Sequence, residues 1–111
     1  MDRNEPEARR LRDEMVTLAR KILRGETGVL PGSAAMMQYR WGAGLHEMDE
    51  DLLVFLGIDS QEDHLPSGSA RRYWNPDALA RADAQIAEAE AFYREVAFAA
   101  CESLIRRFRT D

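Results

Sequence analysis

The feature that most constrains the fold is the stretch from Asp77 to Asp111, which contains neither glycine nor proline. It follows Asn75-Pro76, an N-cap residue and a proline at the first helical position. Apolar residues recur in it at steps of three and four, the period of an amphipathic helix. They are Leu79, Ala82, Ile86, Ala89, Tyr93, Val96, Ala100, Leu104 and Phe108. The pattern predicts one helix from Pro76 to about Phe108, roughly 50 Å long at 1.5 Å per residue.

Two shorter helices are predicted near the start of the chain. The segment Pro6–Arg24 has an apolar seam with helical spacing, and Gly25 and Gly28 can end it. The seam consists of Ala8, Leu11, Met15, Leu18 and Ile22. A second, short helix is predicted over Ala34–Trp41, after the helix-starting sequence Pro31-Gly32-Ser33.

The apolar run Leu52–Ile58 fits either a buried strand or a buried helix. No second β-rich segment exists to pair with a strand, and a lone strand would leave its backbone groups without hydrogen bonds. Acidic residues stand directly before the run, where they can cap a helix and interact with its dipole. We therefore predict a helix here.

Together these segments predict an all-α fold of three or four helices. The expected architecture is a small helical bundle whose long C-terminal helix packs antiparallel to the first. The length of 111 residues corresponds to one domain, so 1–111 is predicted to be a single helical domain. The chain is 45% hydrophobic and 32% charged, which is enough apolar surface for a core.

The sequence also gives expectations about location. Its longest apolar run is Leu52–Ile58, which is too short to span a bilayer, and its first residues lack the apolar stretch of a secretory signal. A single cysteine, Cys101, excludes an internal disulfide and fits a reducing compartment. We expect a cytoplasmic protein without membrane association.

The charge distribution argues against nucleic-acid binding as the main role. Fifteen basic and twenty acidic residues give a net charge of −5, and the stretch from Trp41 to Ala70 contains no Lys or Arg. Phosphate contacts need a concentrated basic face. The C-terminal arginines, Arg106, Arg107 and Arg109, are the nearest approach to one, and they are more simply partners of the helix dipole. Weak nucleic-acid binding through them remains the third functional hypothesis.

Carboxylates and imidazoles occur together in the acidic stretch and could bind a divalent metal. The candidate ligands are His46, Glu50, Asp59, Asp63 and His64. The specific metal-binding patterns are missing, because no Glu-x-x-His or His-Glu-x-x-His occurs and His64 stands where a calcium loop needs glycine. The alternative is structural: Ser60 and Asp63 form a cap, and His64 bonds to a loop carbonyl. We predict no cofactor.

Nothing in the sequence points to nucleophilic catalysis. Cys101 lies inside the long predicted helix among small apolar residues, where a thiol is a core residue rather than a nucleophile. No serine occurs in a Gly-x-Ser-x-Gly turn. We do not expect an enzyme.

Arginines stand beside aromatic residues at two predicted helix boundaries. They are Arg40-Trp41 and Arg71-Arg72-Tyr73-Trp74. Such pairs are favoured at protein interfaces. The alternative is that Arg40, Arg71 and Arg72 pair with Asp59 or Asp63 to hold the long 57–75 loop, while both tryptophans fill the core.

The second half of the long helix is apolar on more than one face. Its apolar residues are Phe92, Tyr93, Val96, Ala97, Phe98, Ala99, Ala100, Leu104, Ile105 and Phe108. The rest of the chain is too small to cover a helix of this length, so we predict a homodimer through it. The competing arrangement is that the middle helices cover these residues within one chain.

The string Ile58-Asp59-Ser60-Gln61-Glu62-Asp63-His64-Leu65-Pro66, followed by Trp74 and an Ala/Glu-rich helix ending Glu102-Ser103-Leu104-Ile105, resembles a family of small uncharacterised bacterial proteins. The resemblance covers the chain from about Arg20 onward. It implies a bacterial, cytoplasmic setting and brings no activity or ligand. The leading functional hypothesis is a non-enzymatic protein-binding or regulatory module, and the second is a metal- or small-molecule-binding protein that uses the 46–64 segment.

Overall fold

The computed structural model describes residues 5–110, and its regular elements are all helical. They are the α-helices α1 (Glu5–Leu23), α2 (Val29–Met36), α3 (Glu50–Glu62) and α4 (Pro76–Phe108), with 3₁₀ helices at Met37–Tyr39 and Gly68–Tyr73. No strand occurs in this part of the chain. The all-α class and the long C-terminal helix are confirmed. The two 3₁₀ helices raise the number of helical elements above the three or four expected.

Helix α1 begins and ends one residue earlier than the predicted Pro6–Arg24 and has the buried face that its spacing predicts. Ala8, Met15 and Ile22 are buried, and Leu11 and Leu18 pack against the core as partly buried residues. After the helix, Gly25 takes a positive φ of 78° and its N–H donates to the Ile22 carbonyl. Glycine adopts this left-handed conformation without the steric cost of a Cβ.

Helix α2 (Val29–Met36) begins and ends earlier than the predicted Ala34–Trp41. Its N-cap is Gly28, which has no side chain to accept the free N–H groups. Ser33, expected just before the helix, lies inside it, and its buried hydroxyl donates to the Val29 carbonyl at 2.7 Å. The helix also packs tightly on α1, because a Cβ at Gly32 would lie 2.6 Å from Ile22 Cδ1.

Helix α3 confirms the helical prediction for the apolar run and extends past it to Glu62. Asp49 is the N-cap, and its carboxylate accepts from the backbone N–H groups of Asp51 at 3.0 Å and Leu52 at 3.3 Å. These bonds satisfy two of the four free donors at a helix start.

Helix α4 has the bounds predicted for it. The Asn75 carboxamide oxygen caps it by accepting from Asp77 N–H at 2.7 Å and Ala78 N–H at 3.3 Å. One residue of the predicted seam, Val96, lies off the buried face.

The core lies where α1, α2 and α3 pack around the second half of α4. Arg12, in the first half of α1, places its guanidinium 6.0 Å from the ring of Phe108 at the end of α4. At the other end, Glu90 of α4 contacts the start of α2, which follows closely after α1. These contacts show that α1 and α4 are antiparallel, as predicted.

The first half of α4 extends beyond the bundle that α1, α2 and α3 form around the second half. The principal-axis extents are 55 × 25 × 23 Å. The radius of gyration is 15.2 Å, whereas a chain of this length in a compact domain has about 13 Å. Within residues 76–89 the buried positions are two alanines, Ala82 and Ala89. Among residues 5–110, no helix is long and apolar enough to cross a membrane.

Candidate interaction surface

The outer face of α4 carries an exposed apolar stripe formed by Phe92, Val96 and Ala99. Phe92 is 77% exposed and Val96 is 46% exposed. Their spacing of four and three residues places them on one side of the helix. The Phe92 ring meets the ring of Tyr93 edge-on, with centroids 4.9 Å apart and an interplanar angle of 88°.

A cleft of about 420 Å³ lies next to this stripe. We call it the Phe92 cleft, and its lining residues are Glu62, His64, Gln85, Glu88, Ala89, Phe92 and Tyr93. The Tyr93 hydroxyl donates to a Glu62 carboxylate oxygen at 3.5 Å, which ties the end of α3 to the middle of α4. Burial, with a smaller contribution from the Glu62 carboxylate, raises the pKa of Tyr93.

A second, more apolar groove of about 540 Å³ lies between α2, the 62–71 segment and α4. Its apolar lining consists of Leu30, Pro31, Ala34, Leu65, Pro66 and Ile86. Arg71 stands at its edge and pairs with Asp83 of α4 at 2.8 Å. Arg71 therefore holds the loop by pairing with Asp83, and the expectation that it pairs with Asp59 or Asp63 is wrong.

The start of α2 is capped by a side chain of α4. The two carboxylate oxygens of Glu90 accept from the N–H groups of Val29 and Leu30, each at 2.7 Å. A Cβ at Gly28 would lie 3.0 Å from Glu90 Oε2, so glycine at this position leaves room for the carboxylate. Glu90 could not be identified as a cap from the sequence, because a cap normally comes from the residue next to the helix.

At the other end of the bundle, a charged cluster joins α3 to α4. Arg107 donates to the carboxylates of both Asp49 and Asp51, and the Ser103 hydroxyl donates to Asp51 at 2.6 Å. The Asp49 side chain is only 7% exposed. The Arg107 hydrogen bond, together with the bonds from Leu52 N–H and Asp51 N–H, lowers the pKa of Asp49. We call this cluster the Arg107 clamp. Arg107 is the central one of the three C-terminal arginines, and here it binds the carboxylates of Asp49 and Asp51.

The candidate metal ligands are spread over separate places. His46 Nδ1 accepts from the backbone N–H of Met48, Glu50 is exposed in the first turn of α3, and Asp59 lies on α3 half-buried. Asp63 is the exposed C-cap of α3 and lines the apolar groove, whereas His64 lines the Phe92 cleft. Among residues 5–110, no group of three or more His, Cys, Asp and Glu residues could hold a metal ion.

The arginine–aromatic pairs are local contacts on the surface. The guanidinium of Arg40 lies 4.9 Å from the Trp41 ring, and that of Arg72 lies 4.9 Å from the Tyr73 ring. Trp41 is 64% exposed and Trp74 is also exposed. The expectation that both tryptophans fill the core is therefore wrong. Each stands at a helix boundary, outside the layer of side chains between the helices.

Ser60, in the last turn of α3, and Asp63, the C-cap of that helix, are both exposed, and no side-chain hydrogen bond joins them. The predicted closure between them is replaced by a backbone turn, in which Leu65 N–H donates to the Glu62 carbonyl at 3.1 Å. His64 is exposed and lines the Phe92 cleft, and it makes no hydrogen bond to a loop carbonyl within residues 5–110. Of this segment, Glu62 and His64 are the residues that contribute to the candidate surface.

Cys101 is fully buried in the core. Burial is the main reason why the pKa of its thiol is raised to about 12, with smaller contributions from Glu102 and Asp51. A thiol in this state forms almost no thiolate near neutral pH, and the thiolate is the nucleophilic form. Cys101 is a core residue, as the sequence predicted.

Comparison of the chain with models of known protein families, with curated proteins and with solved structures finds no match in any of the three.

Proposed function

We propose that this protein is a non-enzymatic module that acts by binding another protein chain through the outer face of α4. The observation that carries the proposal is the exposure of Phe92, at 77%, in the middle of a long helix. Exposed aromatic residues beside a cleft are typical of the anchor positions of protein interfaces. The cytoplasmic, bacterial setting stays part of the proposal.

The surroundings of Phe92 support a protein partner. Val96 and Ala99 extend the apolar stripe along one side of the helix, and charged residues such as Glu88 and Glu95 border it. An apolar centre with a polar rim is the common anatomy of an interface. The first half of α4 adds a long exposed helix surface, which suits contact with another helix.

The experiment compares the wild-type protein with Phe92→Glu and with a matched control, Trp41→Glu. Trp41 is another highly exposed aromatic residue, but it lies outside α4. For each protein we would measure the mass in solution by light scattering and the proteins captured from a lysate of the source organism.

We expect the wild type and Trp41→Glu to bind a second chain, of their own kind or another, and Phe92→Glu to lose it. Circular dichroism should show the same helix content in all three, since Phe92 is exposed. Association that is absent in the wild type, or that is equal in all three proteins, would contradict the proposal.

A further inference from the structure

We infer that the partner is a second copy of this chain. The two α4 helices pack antiparallel about a two-fold axis beside the helical turn 88–92, so that each Phe92 ring fills the other chain's Phe92 cleft. The inference rests on the proposed function and names its partner. In a two-fold contact the same patch serves both chains, so it must contain both a protrusion and a matching hollow. Phe92 and the cleft beside it meet that requirement on one surface.

The cleft has the form that helix packing needs. Four of its lining residues on α4, Gln85, Glu88, Ala89 and Phe92, follow the spacing i, i+3, i+4, i+7. Four residues with this spacing form the hole that receives one side chain of a facing helix. His64 and Glu62 form a further wall on the α3 side. The volume of about 420 Å³ leaves room for one aromatic ring of the partner.

The antiparallel direction follows from charge. Placing Phe92 opposite Glu88 also sets Glu95 opposite Gln85 and Arg81 opposite Ala99, so no like charges on this face are directly opposed. A parallel pair in register would instead set Glu88 against Glu88 and Arg106 against Arg106. It would also align the two helix dipoles, which is unfavourable.

The same register joins the ends of the two helices. Arg106 of one chain lies opposite Trp74 of the other. It also comes within one helical turn of Asp77 of that other chain. Trp74 is exposed, and a guanidinium stacks favourably on an indole ring. The exposed first half of α4 in each chain is thereby covered by the second half of its partner.

The area favours this long overlap. A helix about 50 Å long and about 10 Å across presents on the order of 500 Å² along one side. A specific interface buries at least about 1,000 Å² in total, so the contact must use nearly the full length of α4 in both chains. The axis beside the 88–92 turn lies near the middle of α4 and gives that overlap.

The test uses cysteine cross-linking, with light scattering of the wild type as the first arm. Gln85→Cys and Glu95→Cys are prepared separately and then mixed under mild oxidation. The native Cys101 does not compete, because it is fully buried. We expect the mixture to form a disulfide that joins position 85 of one chain to position 95 of the other, several-fold above the dimer formed by either variant alone. Arg81→Cys mixed with Ala99→Cys repeats the test on a second facing pair.

Enrichment of the disulfide in both mixtures would support the antiparallel pair. Self-cross-linking of the single variants, without enrichment in the mixture, would overturn the antiparallel arrangement. A single-chain mass that does not change with concentration would overturn the second copy as partner. If a Phe92-dependent protein is nevertheless captured from the lysate, the proposed function survives that failure.

Discussion

The two halves of α4 differ in what covers them, although both are helical. The second half, 90–108, is surrounded by α1, α2 and α3 and contributes Ala97, Ala100, Cys101 and Leu104 to the core. The first half, 76–89, buries two alanines. Helix formation thus follows from the cap and the absence of breakers, whereas burial depends on how much chain is left to pack. Helix α1 has 19 residues and α4 has 33, so one half of α4 remains uncovered by it.

The largest expected effect is the loss of a core side chain in the covered half. Leu104 is fully buried, so Leu104→Ala should lower the free energy of unfolding by about 2–5 kcal/mol, through lost burial and the cavity it leaves. The matched variant in the other half, Leu79→Ala, removes the same atoms from a half-buried position and should cost much less. Urea denaturation at low protein concentration measures both. Equal losses would mean that the two halves are equally well packed.

The clamp at Arg107 should give the next largest effect. Arg107→Ala leaves the carboxylates of Asp49 and Asp51 without their cation, and we expect a loss of about 1–3 kcal/mol. Arg107→Lys keeps the charge but not the forked geometry, so it should lie between the alanine variant and the wild type. Thermal unfolding near neutral pH gives the order. A wild-type stability in Arg107→Ala would show that the clamp does not hold α3 to α4.

The same clamp makes the stability depend on pH. Because the pKa of Asp49 is lowered in the folded protein, its contribution is present above the unfolded pKa and is lost as the pH falls through the lower folded value. The unfolded pKa of aspartate is about 3.9, so the wild type should lose this contribution at pH values below about 4. Arg107→Ala should show a flatter decline there. Parallel pH profiles of the two proteins would exclude this source of acid sensitivity.

The cap from Glu90 marks the boundary between the two halves. Glu90→Ala removes the acceptor of two N–H groups at the start of α2 and should cost about 1–2 kcal/mol. Glu90→Gln keeps one acceptor oxygen and should cost less. Hydrogen exchange at the amides of Val29 and Leu30 should become faster in both variants. Unchanged exchange would show that the Glu90 carboxylate does not protect these two amides.

The sequence predicted the elements that local signals define. The Asn75 cap was sufficient to predict where α4 begins. The acidic residues before Leu52 were sufficient to predict that α3 is a helix. The start of α2 was missed, because its cap, Glu90, is far away along the chain. The partner of Arg71 was missed for the same reason, since charge alone cannot distinguish Asp83 from Asp59 or Asp63.

The candidate surface was predicted only in part. The second half of α4 was predicted to be apolar on more than one face, with a second chain covering what the rest of this chain cannot reach. However, Phe98 and Ile105 are partly buried against the core of the same chain, and Phe92 and Val96 are left exposed. Periodicity shows which residues share a face, but it does not show which faces the neighbouring helices reach. That depends on the packing of α1 and α3, which no local pattern specifies.

The smallest effect is expected at the ion pair of the uncovered half. Arg71 and Asp83 are 2.8 Å apart, but their side chains are 36% and 53% exposed. Asp83→Ala should therefore cost under about 1 kcal/mol, and the difference from the wild type should shrink further in high salt. Asp83→Asn, which keeps the shape, separates the loss of charge from the loss of contacts. Thermal unfolding at low and high salt measures these differences. If Asp83→Ala cost as much as Arg107→Ala, the loop and the first half of α4 would be held as firmly as the bundle, and the contrast between the two halves would fail.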